Sequence, residues 1–448
     1  MTGKIRIGVD IGGTFTDLVA RRADGTVFVE KVLSSVQDYS EAILHGVRRL
    51  LERAGASPAD VVEVVHGTTV ATNAILERKG AHAGLITTRG FRDVLDIRNS
   101  RRPEMYNIDW VKPPALVERY LRLEVDERLD AEGAVVRALD EASVTRAIDK
   151  LRQEGVESVA VCLLNSFVNP AHERRVGELL RQFLPGVSVS LSCDVLPEAR
   201  EYERTSTTVI NAYVRPAVER YLTGLTARLS QAGVKAPLLT MQSNGGVASA
   251  GSAMARPIHI VESGPAAGVM GAVALGRRCG EAKLVTFDMG GTTAKAALVE
   301  NGEVRFTHDL EVGAGLSAVS RLNKGGGYAL STPSVDVAEV GVGGGSIAWL
   351  DEGHAIRVGP QSSGARPGPA CYALGGDKPT VTDANLVLGY LNPAALVGGE
   401  LKIDADRARA ALQRDIAGPL GVSVEEAAFG VRAVANAGMT RAIRAIST

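Results

Sequence analysis

Ile5 to Ala20 reads IRIGVDIGGTFTDLVA, and Lys283 to Val299 reads KLVTFDMGGTTAKAALV. Each stretch contains Asp-x-Gly-Gly-Thr: Asp10-Ile11-Gly12-Gly13-Thr14 in the first, Asp288-Met289-Gly290-Gly291-Thr292 in the second. Each motif follows a short apolar strand pattern and leads into another. The copies are too far apart for a short tandem repeat, so they mark equivalent points of two related lobes. Glycines permit a sharp turn and a close approach of backbone to ligand. The N–H groups of such a turn, with the Thr hydroxyls, can surround an anion. An Asp at the strand end can hold a metal-bound water or orient a nucleophile. Two such loops facing each other would clamp a polyphosphate from both sides. One copy alone reads equally well as a ligand-free glycine hairpin. The shared strand–loop–strand context of two copies favours the phosphate reading.

Composition narrows the partners. The 448 residues are enough for two or three domains and a large core. Fifty Lys and Arg against 51 Asp and Glu remove the electrostatic case for nucleic acid or an anionic membrane. At 4% aromatics, base-stacking platforms are also disfavoured. Cys162, Cys193, Cys279 and Cys371 are dispersed and form no C-x-x-C pair, so free buried thiols are expected. Strand pattern begins by Ile5, no signal peptide is visible and no apolar run could span a bilayer. A soluble cytoplasmic protein is expected.

Outward from the first motif, Val27 to Val32 continues a meander through an Ala23-Asp24-Gly25 turn. Glu41 to Ala54 has helical apolar spacing, Val61 to Val65 is a short buried strand, Thr69 to Lys79 suits a helix and Ala83 to Thr87 is another strand. The order is β-β-β-α-β-α-β. Residues 89–140 are irregular, with Arg98, Arg101 and Arg102 on a segment that is either a solvated loop or a contact for substrate or subunit. Residues 141–191 read as an α-β-α-β accessory unit, and Asn211 to Ala232 as a long amphipathic helix holding Pro216. From Gly325 to Gly399 glycine and proline are dense around apolar strands, which suggests tight turns packed on a site. Glu425 to Ile446 reads as a helix.

The paired DxG loops resemble those of the actin/sugar kinase/Hsp70-type ATPases. Further motifs are HGTTVATNAILERKG (His66–Gly80), EYERTSTTVINAYVRP (Glu201–Pro216), QSNGGV (Gln242–Val247), VESGPAAGVMGA (Val261–Ala272) and the long run from Glu339 to Leu391. With these, the chain is similar to the ATP-dependent hydantoinase/5-oxoprolinase family, of hydantoinase A type, whose relatives include acetone and acetophenone carboxylase subunits. The resemblance implies an α/β fold of two lobes with ribonuclease-H-like cores, the second incomplete. It divides the chain into 1–195 (first lobe with its accessory unit), 196–282 (connecting helical and strand region) and 283–448 (second lobe with the Gly/Pro-rich segment). It implies ATP and Mg²⁺ as cofactors and ring-opening hydrolysis of a hydantoin, 5-oxoproline or similar lactam. A second subunit of hydantoinase B type and an oligomeric assembly are the implied partners. A ketone carboxylase subunit and a non-catalytic ATP-binding scaffold stay open as alternatives. The family's further glycine-rich segment of the form GGxGP is not found after Asp288. Weak nucleotide binding and an exposed apolar face on the helix Glu425 to Ile446 are therefore expected.

The candidate site residues follow. Asp10 and Asp288 are placed as metal-binding and catalytic carboxylates, since phosphoryl transfer needs a positioned metal and charge neutralisation. Gly12, Gly13, Thr14, Thr16, Gly290, Gly291, Thr292 and Thr293 are candidate phosphate donors. Asp17 either extends the first loop or caps its turn. His66, Thr68 and Thr69 lie where a strand passes into a helix N-terminus, a place suited to an anion, with Asn73 one turn on. An ordinary Thr68 cap and a structural His66 are the plainer readings. Glu262 and Ser263 begin a small-residue helix beside the cleft. Asp336, Gly344, Gly345 and Asp383 complete the set, with the triple glycine read as exposing N–H groups and Asp383 as accepting from substrate or binding metal. Cys371 lacks a nearby His and reads as a buried structural thiol. No G-x-x-x-x-G-K-[ST] pattern is present.

Overall fold

The structure, a computed structural model, describes residues 3–12, 15–34, 39–103, 106–313, 325–394 and 402–447. Strands β1 (Ile5–Ile11), β2 (Phe15–Arg22) and β3 (Val27–Leu33) form an antiparallel meander, and β4 (Val61–Gly67) lies parallel to β1 on its other side. Alternation in β1 buries Ile5, Ile7, Val9 and Ile11 and turns Asp10 to the opposite face. Burying each of those side chains is worth roughly 1.5–3 kcal/mol. A one-residue slip would reverse every one of them, so the apolar set also fixes where Asp10 points. Helix α1 (Tyr39–Ala54) covers the meander with Ile43, Val47, Leu50 and Leu51.

The strand expected to complete this sheet belongs elsewhere. Ala83–Thr88 lies in a second, all-parallel sheet, ordered Ser188–Leu191, Ser158–Cys162, Ala83–Thr88, Arg122–Val125. Its place beside β4 is taken by Leu238–Met241, with Val247–Ser249 at the edge. Ala83–Thr88 is buried along its whole length, as parallel strands are. Such a run has no period that could say which sheet it joins.

Helix α2 (Val70–Leu76) follows β4. Helix α3 (Glu201–Gln231) starts ten residues before the expected amphipathic stretch, and Arg204 through Val214 are buried on every side. The polar side chains of this stretch make this tolerable, because Arg204, Asn211 and each Ser and Thr make at least one hydrogen bond, although Arg204 Nε and Asn211 Oδ1 are left unmet. Thr205 Oγ1 donates to Cys162 Sγ at 3.2 Å, Ser206 Oγ to the Ala329 carbonyl at 2.7 Å and Asn211 Nδ2 to Ser190 Oγ at 2.9 Å. Thr207 Oγ1 accepts from the Ser331 N–H at 2.9 Å. One helix thus ties the second sheet to the hairpin Phe306–Val312/Tyr328–Val335.

Helix α4 (Ser263–Cys279) leads to the second motif, carried by β5 (Leu284–Met289) and β6 (Ala294–Glu300), with β7 (Ala338–Val340) pairing β6. Helix α5 (Val424–Ser447) closes this core through Ala428, Val431, Ala435, Ala442 and Ile446. That helix leaves Phe429 and Val434 exposed, as expected, and β5 exposes further apolar surface. Val285, Phe287 and Met289 are 46%, 41% and 36% exposed, and among the described residues β5 pairs only with β6. Its counterpart β1 has a strand on each side. Among the described residues no helix is long and apolar enough to cross a membrane.

Candidate active site

The two motifs close the same turn. Gly12 N–H donates to the Phe15 carbonyl and Gly290 N–H to the Thr293 carbonyl, both at 2.9 Å. Asp10 stands at the end of β1, and the end of β4 and the first turn of α4 converge on it. A Cβ on Gly67 would lie 2.8 Å from Asp10 Oδ1, and one on Gly264 3.3 Å. Both glycines therefore hold space open around the carboxylate. Asp10 still reaches solvent, yet protein surrounds it closely enough to matter. Desolvation raises its pKa, the charges of Asp17 and Asp288 raise it further, and Lys31 and Lys295 oppose the shift. The structure thus brings Asp10 and Asp288 within repulsive range of one another.

A lysine missing from the sequence-based site lies beside them. Lys295, opposite Asp288 across β5 and β6, forms an ion pair with Glu262 and a second with Glu339 at 3.6 Å. Desolvation would lower its pKa, but Glu262 and Glu339 outweigh that and hold the ammonium above its ordinary value. Glu262 opens α4 with φ +60°, and its N–H donates to Thr72 Oγ1 at 3.2 Å. Ser263 is buried and donates to the Thr68 carbonyl at 3.3 Å. Residues 262 and 263 therefore link β4 and α2 to the second motif. Superimposing the two motif copies was the signal that could have found Lys295, since both carry a charge at its offset.

The other candidates divide. Gly290, Gly291 and Thr292 are exposed at the second loop, and Thr293 is half-buried near Glu339. Gly13 and Thr14 lie outside the described residues. Thr16 is fully buried with its hydroxyl 3.0 Å from Ser34 Oγ. Thr68 is buried and accepts from Val70 N–H, while Asn73 Nδ2 donates to Thr69 Oγ1, both at 3.2 Å. Asp336 is half-buried beside the Arg305 carbonyl, which its N–H meets at 2.9 Å.

For three candidates the local reading needs correction. The triple glycine does not present N–H groups to a ligand. Gly344 and Gly345 donate to the Gly290 and Gly291 carbonyls at 3.0 and 2.7 Å, and Gly343 donates to Ser346 Oγ at 2.9 Å. A Cβ on Gly343 would sit 2.6 Å from Thr292 N, so glycine here lets one loop brace the other. The Asp383 carboxylate is wholly buried and accepts from Ala370, Cys371 and Thr380 N–H groups and from Thr380 Oγ1, at 2.7 to 3.2 Å. It caps a helix and has no face open to substrate. His66 lies inside β4, not beyond it, and is fully buried.

His66 Nε2 lies 2.8 Å from Tyr221 Oη, while Nδ1 makes no well-formed hydrogen bond. Burial lowers its pKa to about 4, with the Val9 carbonyl offsetting only part of the effect. The ring is neutral at pH 7. Because the unfolded chain takes up the proton first as pH falls, stability from this group is whole above about pH 6.5. It is lost progressively toward pH 4, roughly 3 kcal/mol over the span. Urea unfolding midpoints should fall more steeply between pH 6.5 and 4.5 in the wild type than in His66→Gln. Superimposable profiles would show that His66 is not the source.

The donor set suits magnesium. Mg²⁺ takes one or two carboxylates and completes its shell with water and phosphate oxygens. Asp10 and Asp288 are two carboxylates of the kind such a site would use, and the repulsion between them is what a dication would relieve. Among the described residues no cluster of three or more His, Cys, Asp or Glu could hold a metal by itself. A small hollow under Arg98 and Tyr328 lies away from both motifs and has room for about one water.

Comparison with known proteins agrees along the chain. The hydantoinase/oxoprolinase N-terminal region matches residues 6–184 and the hydantoinase/oxoprolinase family matches residues 204–448. The chain is 39% identical to caprolactamase subunit alpha of Pseudomonas jessenii, over 99% of this chain and 62% of that protein. It is 36% identical to the acetophenone carboxylase gamma subunit of Aromatoleum aromaticum, over 98% of this chain and 60% of that one. The nucleotide-free structure of acetone carboxylase, from work on ATP-dependent acetone carboxylation, superimposes with a TM-score of 0.84 at 30% identity, covering 99% of this chain and 63% of that one. The chain thus spans less than two thirds of the length of these relatives.

Proposed function

The chain belongs to the hydantoinase/oxoprolinase family, and on that basis we propose that it is the ATP-using part of an enzyme that opens a cyclic amide. The carrying observation is the same closing hydrogen bond at both motifs, with the Asp288 charge raising the pKa of Asp10. The meander β1–β3 with parallel β4 and Leu238–Met241, and its partial repeat in β5 and β6, support a two-lobed actin/sugar kinase/Hsp70-like ATPase with ribonuclease-H-like cores. The division at 195 and 282 is retained as part of this proposal.

Unstrained lactams are poor electrophiles, and ATP can remedy that. In this reading the lactam oxygen attacks the γ-phosphorus in line, the bond to the ADP oxygen breaks, and an imidate phosphate forms. Water then adds to the activated carbon and phosphate leaves, a step assigned to a second subunit of hydantoinase B type. Asp10 and Asp288 would hold Mg²⁺, which when bound would neutralise charge on the phosphate oxygens. Backbone N–H groups of Gly291, Thr292 and Thr293 orient the phosphates, with Gly13 and Thr14 the expected donors of the first loop. Gly67 and Gly264 keep the floor open around Asp10. Glu262, Ser263, Thr68 and Asn73 shape the wall. Likeness to acetone and acetophenone carboxylase supports a second reading, in which the same ATP step serves ketone carboxylation.

ADP release measured with a panel of lactams and hydantoins, and separately with ketones plus bicarbonate, tests both with and without the second subunit. Stimulation by a lactam alone is the expected result. Stimulation only by a ketone with bicarbonate would replace the first reading by the second, and no stimulation by either would refute both.

A further inference from the structure

Just past the loop the two motif copies carry opposite charges at an equivalent position: Asp17 follows Asp10 at the offset where Lys295 follows Asp288. Strand pairing turns this into two transverse rows. In the first sheet the row runs Gly67, Asp10, Asp17, Lys31, and in the other it runs Asp288, Lys295, Glu339. Residues in register across neighbouring strands share a face, so each row is a line of interacting side chains. In the first, Lys31 Nζ holds Asp17 Oδ2 at 2.7 Å, leaving Asp10 next to a carboxylate that already has its cation. In the second, one ammonium serves Asp288, Glu339 and, from the start of α4, Glu262. Lys295 is only 16% exposed, so these contacts are poorly screened.

We propose that the two copies are unequal: both aspartates face the cation, but only the second copy carries a largely buried lysine, and Lys295 gives the second loop the stronger hold on the polyphosphate. Lys295 is a positioning residue for phosphate, held on Glu262 in the ligand-free protein. An incoming phosphate oxygen displaces the Glu262 carboxylate from the ammonium. The cluster is otherwise unsuited to a polyanion: Asp10, Asp17, Asp288, Glu262 and Glu339 face two ammonium groups, Lys31 and Lys295. Displacement also acts on more than charge. Glu262 is the residue whose N–H meets Thr72 and whose side chain meets Lys295, so releasing the lysine loosens the link between α2 and β6. The inference rests on the phosphate-loop reading above and adds a direction to it.

The test is calorimetric binding of inorganic tripolyphosphate, with Mg²⁺, to the full chain. Lys295→Met should weaken binding about 10-fold or more, the range lost with a hydrogen bond between charged groups. Lys295→Arg should stay within about threefold. Glu262→Gln should tighten binding severalfold, because it removes the competing partner. A purely structural ion pair predicts loss from either side, so the opposite signs are diagnostic. Unchanged binding in Lys295→Met, or weakening in Glu262→Gln, overturns the proposal while leaving the phosphate loops standing. If Lys295→Met does not fold, the sign of the Glu262→Gln effect decides: tighter supports, weaker or unchanged refutes. No tripolyphosphate binding by the wild type at millimolar concentration refutes the loop reading and this inference together.

Discussion

Asp10→Ala and Asp288→Ala should each lower substrate-stimulated ATP turnover by about 10²-fold or more, the scale of losing electrostatic stabilisation in a phosphoryl-transfer site. The fold should survive. Asp10 points away from the Ile5, Ile7, Val9 and Ile11 face that holds β1 in place. Its removal also relieves repulsion from Asp17 and Asp288. The thermal midpoint of Asp10→Ala is therefore expected to equal or exceed that of the wild type. Gly67→Ala gives an independent approach to the same atom. Its Cβ would lie 2.8 Å from Asp10 Oδ1, so the carboxylate must turn although no charge has been changed. A comparable loss of turnover is expected. The measurement is steady-state ADP release with the second subunit and substrate present. Full activity in both aspartate variants would remove the core of the functional reading.

What could be read from the sequence was what repeats or alternates. The strand–DxGGT–strand pattern placed both motif turns, because period-2 burial and glycine turns are local properties. Non-local features were not readable. Ala83–Thr88 is apolar on both faces, so nothing in it distinguishes the second sheet from the first. Arg204 to Val214 looks half polar, yet it is buried because its hydroxyls and amide meet groups distant in sequence, such as Cys162, Ser190 and Ala329. Asp383 and the triple glycine looked like ligand groups because their local chemistry suits one. Only tertiary structure shows their hydrogen bonds already used within the protein. Lys295 was overlooked because a lysine on a strand is unremarkable until register sets it opposite Asp288.

The open edge of β5 leads to the other large effect. In the first sheet β4 lies parallel to β1 and delivers Gly67 beside Asp10. Among the described residues nothing occupies the corresponding side of β5, and Val285, Phe287 and Met289 are left in solvent. An unpaired apolar strand invites association. The 1–448 chain by itself is accordingly expected to bind ATP no more tightly than tripolyphosphate, because the loops hold phosphates while the side of β5 that corresponds to the place of β4 is open among the described residues. It should also self-associate as its concentration rises, and Phe287→Lys should suppress this by charging the edge. Supplying the further polypeptide that the longer relatives possess, fused or as a second chain, should restore ATP affinity and end the self-association. An added strand running parallel to β5 should carry glycine opposite Asp288, for the steric reason that Gly67 stands opposite Asp10. Calorimetry with analytical ultracentrifugation checks both halves. Micromolar ATP binding by a monodisperse monomer of 1–448 would mean that the nucleoside wall is already present and that the edge of β5 has no bearing on it.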